Sequence, residues 1–333
     1  MSSPTLSRIT GVRPLLGVEG GWLTISGDGF TVEPLPDVRI GGLPARIVTG
    51  SSRELKVCVP PGLEGGSTPV RLESVPGESA LVQIGAPLAT GLHQVDNPAF
   101  DRDGNLFATF SGSRGQQTPV SVYIVRPDGS REPFVTNLPN PTSLAFDAQG
   151  QLHVSSRFDG SVYRVGADGS AEVVATDLGV ACGIAFDADG GLFVGDRAGS
   201  ILRVENGRAA TFASLPSSIA AFHLAFGPDG SLFATGPTLD TRDNVYRISP
   251  SGDVDVFYEG FGRPQGLAFD DQGRLHVADS IAGAGGLYRF GADGSGPELL
   301  ISSGGLVGVT FAPDGSLAVA SADTIYRFHG ARE

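Results

Sequence analysis

One phrase, written six times, constrains this chain more than any other feature. A short apolar run ends in Phe, a polar turn follows, and a second apolar run resumes. The copies read NPAFDRDGNLFAT, SLAFDAQGQLHVS, GIAFDADGGLFVG, HLAFGPDGSLFAT, GLAFDDQGRLHVA and GVTFAPDGSLAVA. Their anchoring residues are Phe100, Phe146, Phe186, Phe226, Phe269 and Phe311, spaced 40 to 46 apart. A near-constant period of this length marks an array of supersecondary units that bury their apolar faces against one another. Within each copy, Asp-Gly or Gln-Gly separates alternating apolar residues, as at Asp103-Gly104 and Gln149-Gly150. Such pairs tolerate the positive φ that hairpin turns need. A third apolar segment follows (VYIV, VYRV, ILRV, VYRI, LYRF, IYRF), then a second turn, then a fourth segment such as AEVVAT or PELLIS. Four antiparallel strands per repeat predict a propeller blade, and six copies predict a six-bladed ring.

The last copy has no fourth strand after Ile325-Tyr326-Arg327-Phe328. The segment APLATGL, residues 86–92, precedes the first Phe as EVVATDL precedes Phe186. It is therefore expected to complete the sixth blade and close the ring, which hides two strand edges. Residues 1–85 show short apolar runs (WLTIS, DVRIG, ARIVT, ELKVCV, PVRLES, ALVQI) between Gly and Pro turns, the pattern of a β-sandwich. No helix-period segment competes. The expectation is an all-β chain: an immunoglobulin-like sandwich over 1–85 and a six-bladed propeller over 86–333, held close because no Ser/Gly-rich linker separates them.

Charge and composition narrow the partners. The net charge is −13, and it is concentrated after residue 85, because the first 85 residues carry 7 Lys/Arg against 8 Asp/Glu. That balance disfavours nucleic acid and anionic membranes. No run of 18 apolar residues predicts a membrane span. The first residues, Met1-Ser2-Ser3-Pro4-Thr5, lack the basic and apolar regions of a secretory signal, which predicts a cytoplasmic chain; an extracellular or periplasmic site is the alternative if the natural chain begins earlier. Cys58 and Cys182 form no disulfide framework. Trp22, in a strand of the first domain, is expected in its core.

Two resemblances follow from particular residues. Residues 4–85 resemble an IPT/TIG domain through Ile9, Pro14, Gly20-Gly21, Ile25-Ser26-Gly27, Gly29-Phe30, Val38, Ile40-Gly41-Gly42, Ala45 and Val59-Pro60-Pro61-Gly62. That resemblance implies an accessory or docking module. Residues 86–333 resemble NHL-repeat and SMP-30/gluconolactonase-like propellers through the recurring G-L-A-F-D…G-x-L-x-V phrase. It implies one divalent cation, usually calcium, in the central channel, held by Glu, Asn and Asp near the starts of inner strands. Four residues before each anchoring Phe stand Asp96, Thr142, Cys182, Phe222, Gln265 and Val307. Asp96 takes the place of the family's Glu, and Gln265 that of its Asn or Asp; these two are the candidate metal ligands, and Asp96 the candidate catalytic residue. With Thr142 they offer three oxygens and one charge, whereas calcium takes six to eight oxygens. Phe222 and Val307 are expected to block two positions.

A second ring of polar residues lies after the second strand of each repeat: Ser156-Arg157, Asp196-Arg197, Asp279-Ser280 and Ser321, with Asp240, Arg242 and Asp243 in the longer fourth loop. Arg157 and Arg197 fall on adjacent blades, where two planar guanidinium forks can clamp a carboxylate or hydroxyl-rich ligand. Pairing with nearby Asp residues on a solvated rim is the plainer reading. Cys182 and His223 sit four and three residues before their Phe, so strand alternation points them in different directions. This leaves a buried thiol and a histidine between blades rather than a nucleophile and its base. His153 and His276 recur as Leu-His-Val and read as blade packing; Asp101, Asp147, Asp187 and Asp270 read as turn chemistry. The leading function is binding of a small polar ligand, carbohydrate or protein segment at the loop face through Arg157, Asp196, Arg197, Asp279, Gln265 and Thr142. The competing readings are a metal-dependent hydrolase of a lactone or related ester, and a structural surface or assembly component.

Overall fold

The computed structural model describes residues 7–73, 79–280 and 284–330, and every described element is a strand. Strands Trp22–Asp28 and Glu54–Cys58 pair with Arg8–Arg13 and Ile47–Gly50 to form one sheet of the sandwich. Alternation puts Leu23, Ile25, Leu55 and Val57 on its inner face, against Ile40, Val70, Val82 and Ile84 of the opposite sheet. Trp22, Thr24 and Ser26 therefore point the other way. The expectation that Trp22 fills the core is wrong by one residue of register: Leu23 holds that place, and Trp22 is half-buried on the outer face.

Six four-stranded blades follow, as the repeated phrase predicts. Their first strands are Ala99–Phe100, Pro141–Phe146, Ala181–Phe186, His223–Phe226, Pro264–Phe269 and Gly308–Phe311. Strand Ala86–Ala89 pairs antiparallel with Ile325–Phe328 and supplies the fourth strand of blade six. The ring is closed by a strand drawn from before its first blade.

The anchoring phenylalanines explain the repeat physically. Each packs edge-on against the second strand of the blade before it: Phe146 on Phe107 at 5.4 Å, Phe226 on Phe193 at 5.1 Å and Phe269 on Phe233 at 5.1 Å. In two blades the partner is histidine, with Phe186 on His153 at 4.8 Å and Phe311 on His276 at 5.0 Å. Burial pushes both imidazoles below their ordinary pKa, His276 to about 4, so they serve as neutral aromatic rings. Edge-to-face pairs contribute about 0.5–1.5 kcal/mol each beyond their area. At the closure Ala318 occupies this slot, and the Arg327 guanidinium instead lies over Phe100, 5.7 Å from its centroid. The turn aspartates also behave as expected: Asp101, Asp147, Asp187 and Asp270 each accept backbone N–H bonds from residues two and four positions on.

The two domains share a sheet. Strand Leu16–Gly17 runs parallel to both Ser79–Ile84 of the sandwich and Glu298–Ser302, the outer strand of blade five, giving nine continuous strands. At this seam Val18 N–H donates to Ser302 O at 3.0 Å and Trp22 N–H to Ser302 Oγ at 2.7 Å. A β-carbon on Gly21 would stand 2.3 Å from Ser302 O, so only glycine permits the approach. Gly21→Ala is expected to part the domains, seen as faster proteolysis between them and a lower unfolding temperature. Unchanged behaviour in both measurements would show that the seam is looser than drawn.

Candidate functional site

Inner strands of blades two, three and five carry an irregularity where they enter the ring. Pro141 opposes Ser156 and Leu144 opposes Val154, so Thr142 and Ser143 together face Ser155. Blades three and five repeat this at Ala181/Ile184 and Pro264/Leu267. Blade four lacks the extra residue, since His223 opposes Thr235 and Leu224 opposes Ala234 in regular pairing. One residue fewer shifts the phase of alternation at the strand start. The side chain three residues before Phe226 consequently enters the channel.

This overturns the expected place of His223. Its ring is fully buried and spans two other blades: Nδ1 lies 2.6 Å from Asp96 Oδ1, and Nε2 lies 3.2 Å from Gln265 Oε1. Asp96, 2% exposed, also accepts the Asn97 N–H at 2.7 Å. An ionised carboxylate only accepts, so the proton at this contact belongs to Nδ1. Gln265 serves Nε2 in either state of the ring, by its oxygen towards an imidazolium or by its NH2, with the amide turned, towards neutral imidazole. The orienting group that the sequence did not reveal is Asp96. Phe222, expected to obstruct the channel, instead lies between blades, where glycines at 195 and 236 make room: a β-carbon on either would come within 2.7 Å of it.

Cys182 is a buried thiol, as expected. Burial first, and then the Asp96 charge, push its pKa up to about 12, so it holds its proton near neutrality. Thr142, 1% exposed, donates to Asn140 O at 3.1 Å. Asp196 accepts from Val180 N–H at 2.8 Å, and Asp279 from Arg263 N–H at 2.6 Å and Gly262 N–H at 3.1 Å. These two carboxylates occupy one slot in blades three and five, each fastening the loop that leads into its own inner strand; in blade two Ser156 does the same through Pro139 O at 2.6 Å. Burial raises the Asp279 carboxyl against the pull of those amides.

Arg157 sits inward of this rim. Its Nη2 donates to Gly112 O at 3.0 Å, and its Nε is buried without a partner. Burial foremost lowers its pKa, with Arg114 and Arg197 adding repulsion, so Arg157 and Arg197 lie within electrostatic reach of each other. It also bears on His93, whose pKa is lowered by burial and then by this guanidinium. Near it run the segments 93–94 and 109–111, tied by the His93–Phe110 bridge, by Ser111 N–H to His93 O, and by Thr109 Oγ1 to Gln94 Oε1 at 3.1 Å. Here His93 Nδ1, Gln94 Nε2 and Ser111 Oγ are, with Arg157 Nε, buried and without partners. Sequence reasoning considered His93 only as a weak zinc ligand beside Cys182 and His223, and missed Gln94 and Ser111, because they lie before and between the strands of blade one, whose first strand, Ala99–Phe100, is only two residues long.

The donors do not suit calcium. Asp96 is the one carboxylate on the His223 bridge, Gln265 is joined to it through an imidazole, and no three His, Cys, Asp or Glu among the described residues cluster as a metal site.

The architecture is that of a β-propeller preceded by an immunoglobulin-like domain, and residues 7–84 match the IPT/TIG domain family. Solved structures share the fold at low identity. A gluconolactonase from Xanthomonas campestris is 18% identical over 73% of this chain and 88% of its own, with a TM-score of 0.61. An auxiliary nutrient binding protein from Bacteroides thetaiotaomicron is 12% identical over 98% of each chain, with a TM-score of 0.55, so its likeness extends over both domains. A catalytically inactive histidine-to-alanine variant of virginiamycin B lyase from Staphylococcus aureus, solved with quinupristin, is 14% identical over 87% of this chain and 99% of its own, with a TM-score of 0.54. No curated protein matches the sequence. No helix among the described residues is long and apolar enough to cross a membrane.

Proposed function

We propose that the chain is a binding protein whose propeller, residues 86–333, takes a small polar ligand with a carboxylate or carbonyl group at its channel mouth, with the sandwich, residues 1–85, as docking module. The observation that carries this reading is the concentration of unpaired buried polar atoms at one stretch of the mouth: Arg157 Nε, Gln94 Nε2, Ser111 Oγ and His93 Nδ1. Buried polar groups are nearly always paired, so such a group marks a place where water or a ligand completes the bonding. Two of these atoms are obligate donors, and the nearby Arg197 adds charge; together they select an oxygen-rich, electron-rich group. The nutrient-binding neighbour agrees with a binding role. The test is calorimetric titration with a panel of uronic and aldonic acids. Arg157→Ala with Arg197→Ala should weaken the best ligand at least ten-fold, and an unchanged affinity refutes this choice of face.

A second reading rests on the Asp96–His223 pair. An imidazole held by a buried carboxylate at 2.6 Å is oriented as a general base is, and acting as one would require Gln265 to release Nε2 to the substrate. A hydrolase or lyase acting on a lactone or related ester would use His223 in that role, with Asp96 orienting it. Gluconolactone turnover that disappears in Asp96→Asn while ligand affinity persists would select this reading over simple binding.

A further inference from the structure

The chain has one tryptophan, Trp22, and one lysine, Lys56, and both face a single cleft. The cleft has a volume of about 1160 Å³ and runs between the outer face of the sandwich and the outer strand of blade five. One wall is made of Trp22, Thr24, Lys56 and Glu54, which alternation turns away from the sandwich core. The other carries Arg289 and Glu298. Between them the cleft reaches Leu16, in the shared strand Leu16–Gly17, which is paired on both sides.

We infer that this cleft is a second binding site, distinct from the channel mouth, and that it takes an oligosaccharide bearing a carboxylate. Its size exceeds the few hundred to about 1,000 Å³ that a single small ligand fills, which suits several linked rings. The half-buried indole lines the cleft and carries the Lys56 ammonium over one face, 4.4 Å from its centroid, so what it adds to the lining is apolar surface beside a cation. A pyranose ring has the matching form, with an apolar C–H face and a hydroxyl rim. Arg289 lines the cleft, donates one bond to Glu298 at 3.1 Å, and has its Nη1 buried without a partner. A guanidinium with spare donors matches a sugar carboxylate. Arg13, Lys56 and Arg289 outnumber Glu54 and Glu298 here, on a chain whose net charge is −13. A peptide strand is the poorer fit, because the shared strand leaves no open edge for β-augmentation.

Because Trp22 is the sole tryptophan, its emission reports this cleft and nothing else. Trigalacturonate titrated into the whole protein should change that emission saturably, with a dissociation constant below about 1 mM. Cellotriose, which lacks the carboxylates, should bind at least ten-fold more weakly. Arg289→Gln should weaken trigalacturonate at least ten-fold. Ser26→Glu, on the exposed end of the same wall, should do so without touching a buried residue. Arg157→Ala, at the channel mouth, should leave the titration unchanged. Absence of a saturable response to either sugar overturns the site; equal binding of cellotriose, or full affinity in Ser26→Glu, overturns the acidic assignment. None of these outcomes depends on what the channel mouth binds.

Discussion

Asp96→Ala is expected to lower stability by about 3–5 kcal/mol, because it leaves a fully buried imidazole without its acceptor. The change strips the acceptor from His223 Nδ1 and from the Asn97 N–H at once, in a place closed to water. For a domain of this size the unfolding temperature should fall on the order of 10 °C. Asp96→Asn keeps a carbonyl acceptor of the same shape and should recover much of that loss. His223→Gln in the Asp96→Ala background should then cost little more, because the interaction is already gone. A double-mutant cycle by denaturant unfolding isolates the coupling. If the two single changes simply add, the contact contributes no net energy, and the channel is held by packing around Phe222 and its neighbours instead.

The architecture was legible because each blade repeats the same local chemistry. The Asp-Gly or Gln-Gly turns, the Asp that accepts turn amides in four copies and the anchoring Phe of all six are short-range signals that reinforce one another. The pairing of Ala86–Ala89 with Ile325–Phe328 was legible too, since a blade short of one strand demands a donor. Site residues were harder to read for a physical reason: the channel lies where the copies differ. Comparing positions by their distance from Phe assumes equal strand pairing, and blade four breaks that assumption by omitting one residue. His223 was thereby assigned to the wrong side, while Asp96 and Gln265, expected at the channel as metal ligands, meet on its imidazole. Asp196 and Asp279 were read as ligand contacts from their place on the loops; that each also fastens backbone amides of its own blade is invisible in sequence. Trp22 was misplaced by a bias towards burying large aromatics, when the alternating Leu23 and Ile25 already filled the inner face.

Deleting residues 86–92 should open the ring, and the loss should be larger than that of any single substitution considered above. Ala86–Ala89 is the only cover for the outer edge of Ile325–Phe328 among the described residues, with Ala86 opposite Arg327 and Ala89 opposite Ile325. Ala89 and Leu92 are also core residues, packed with Leu106, Ala108, Ala320 and Ile325, so the segment joins the apolar contents of blades six and one. Beyond the strand, Leu92 N–H and Gln94 N–H donate to Asp323 O and Ala322 O, which extends the clasp to the channel mouth. The closure has little aromatic reserve, because Ala318 stands where other blades place Phe or His against the next anchoring ring. Removing the strand therefore leaves an unpaired edge beside exposed apolar surface, the combination that drives edge-to-edge association. Size-exclusion chromatography should show the deletion product as aggregate rather than monomer. Leu92→Asp, which keeps the strand but places a charge in the same core, should stay monomeric at low temperature and unfold well below the parent. A soluble monomeric deletion product with the parent's unfolding temperature would mean that the ring is held by its remaining blade contacts and that the strand is only an ornament on its edge.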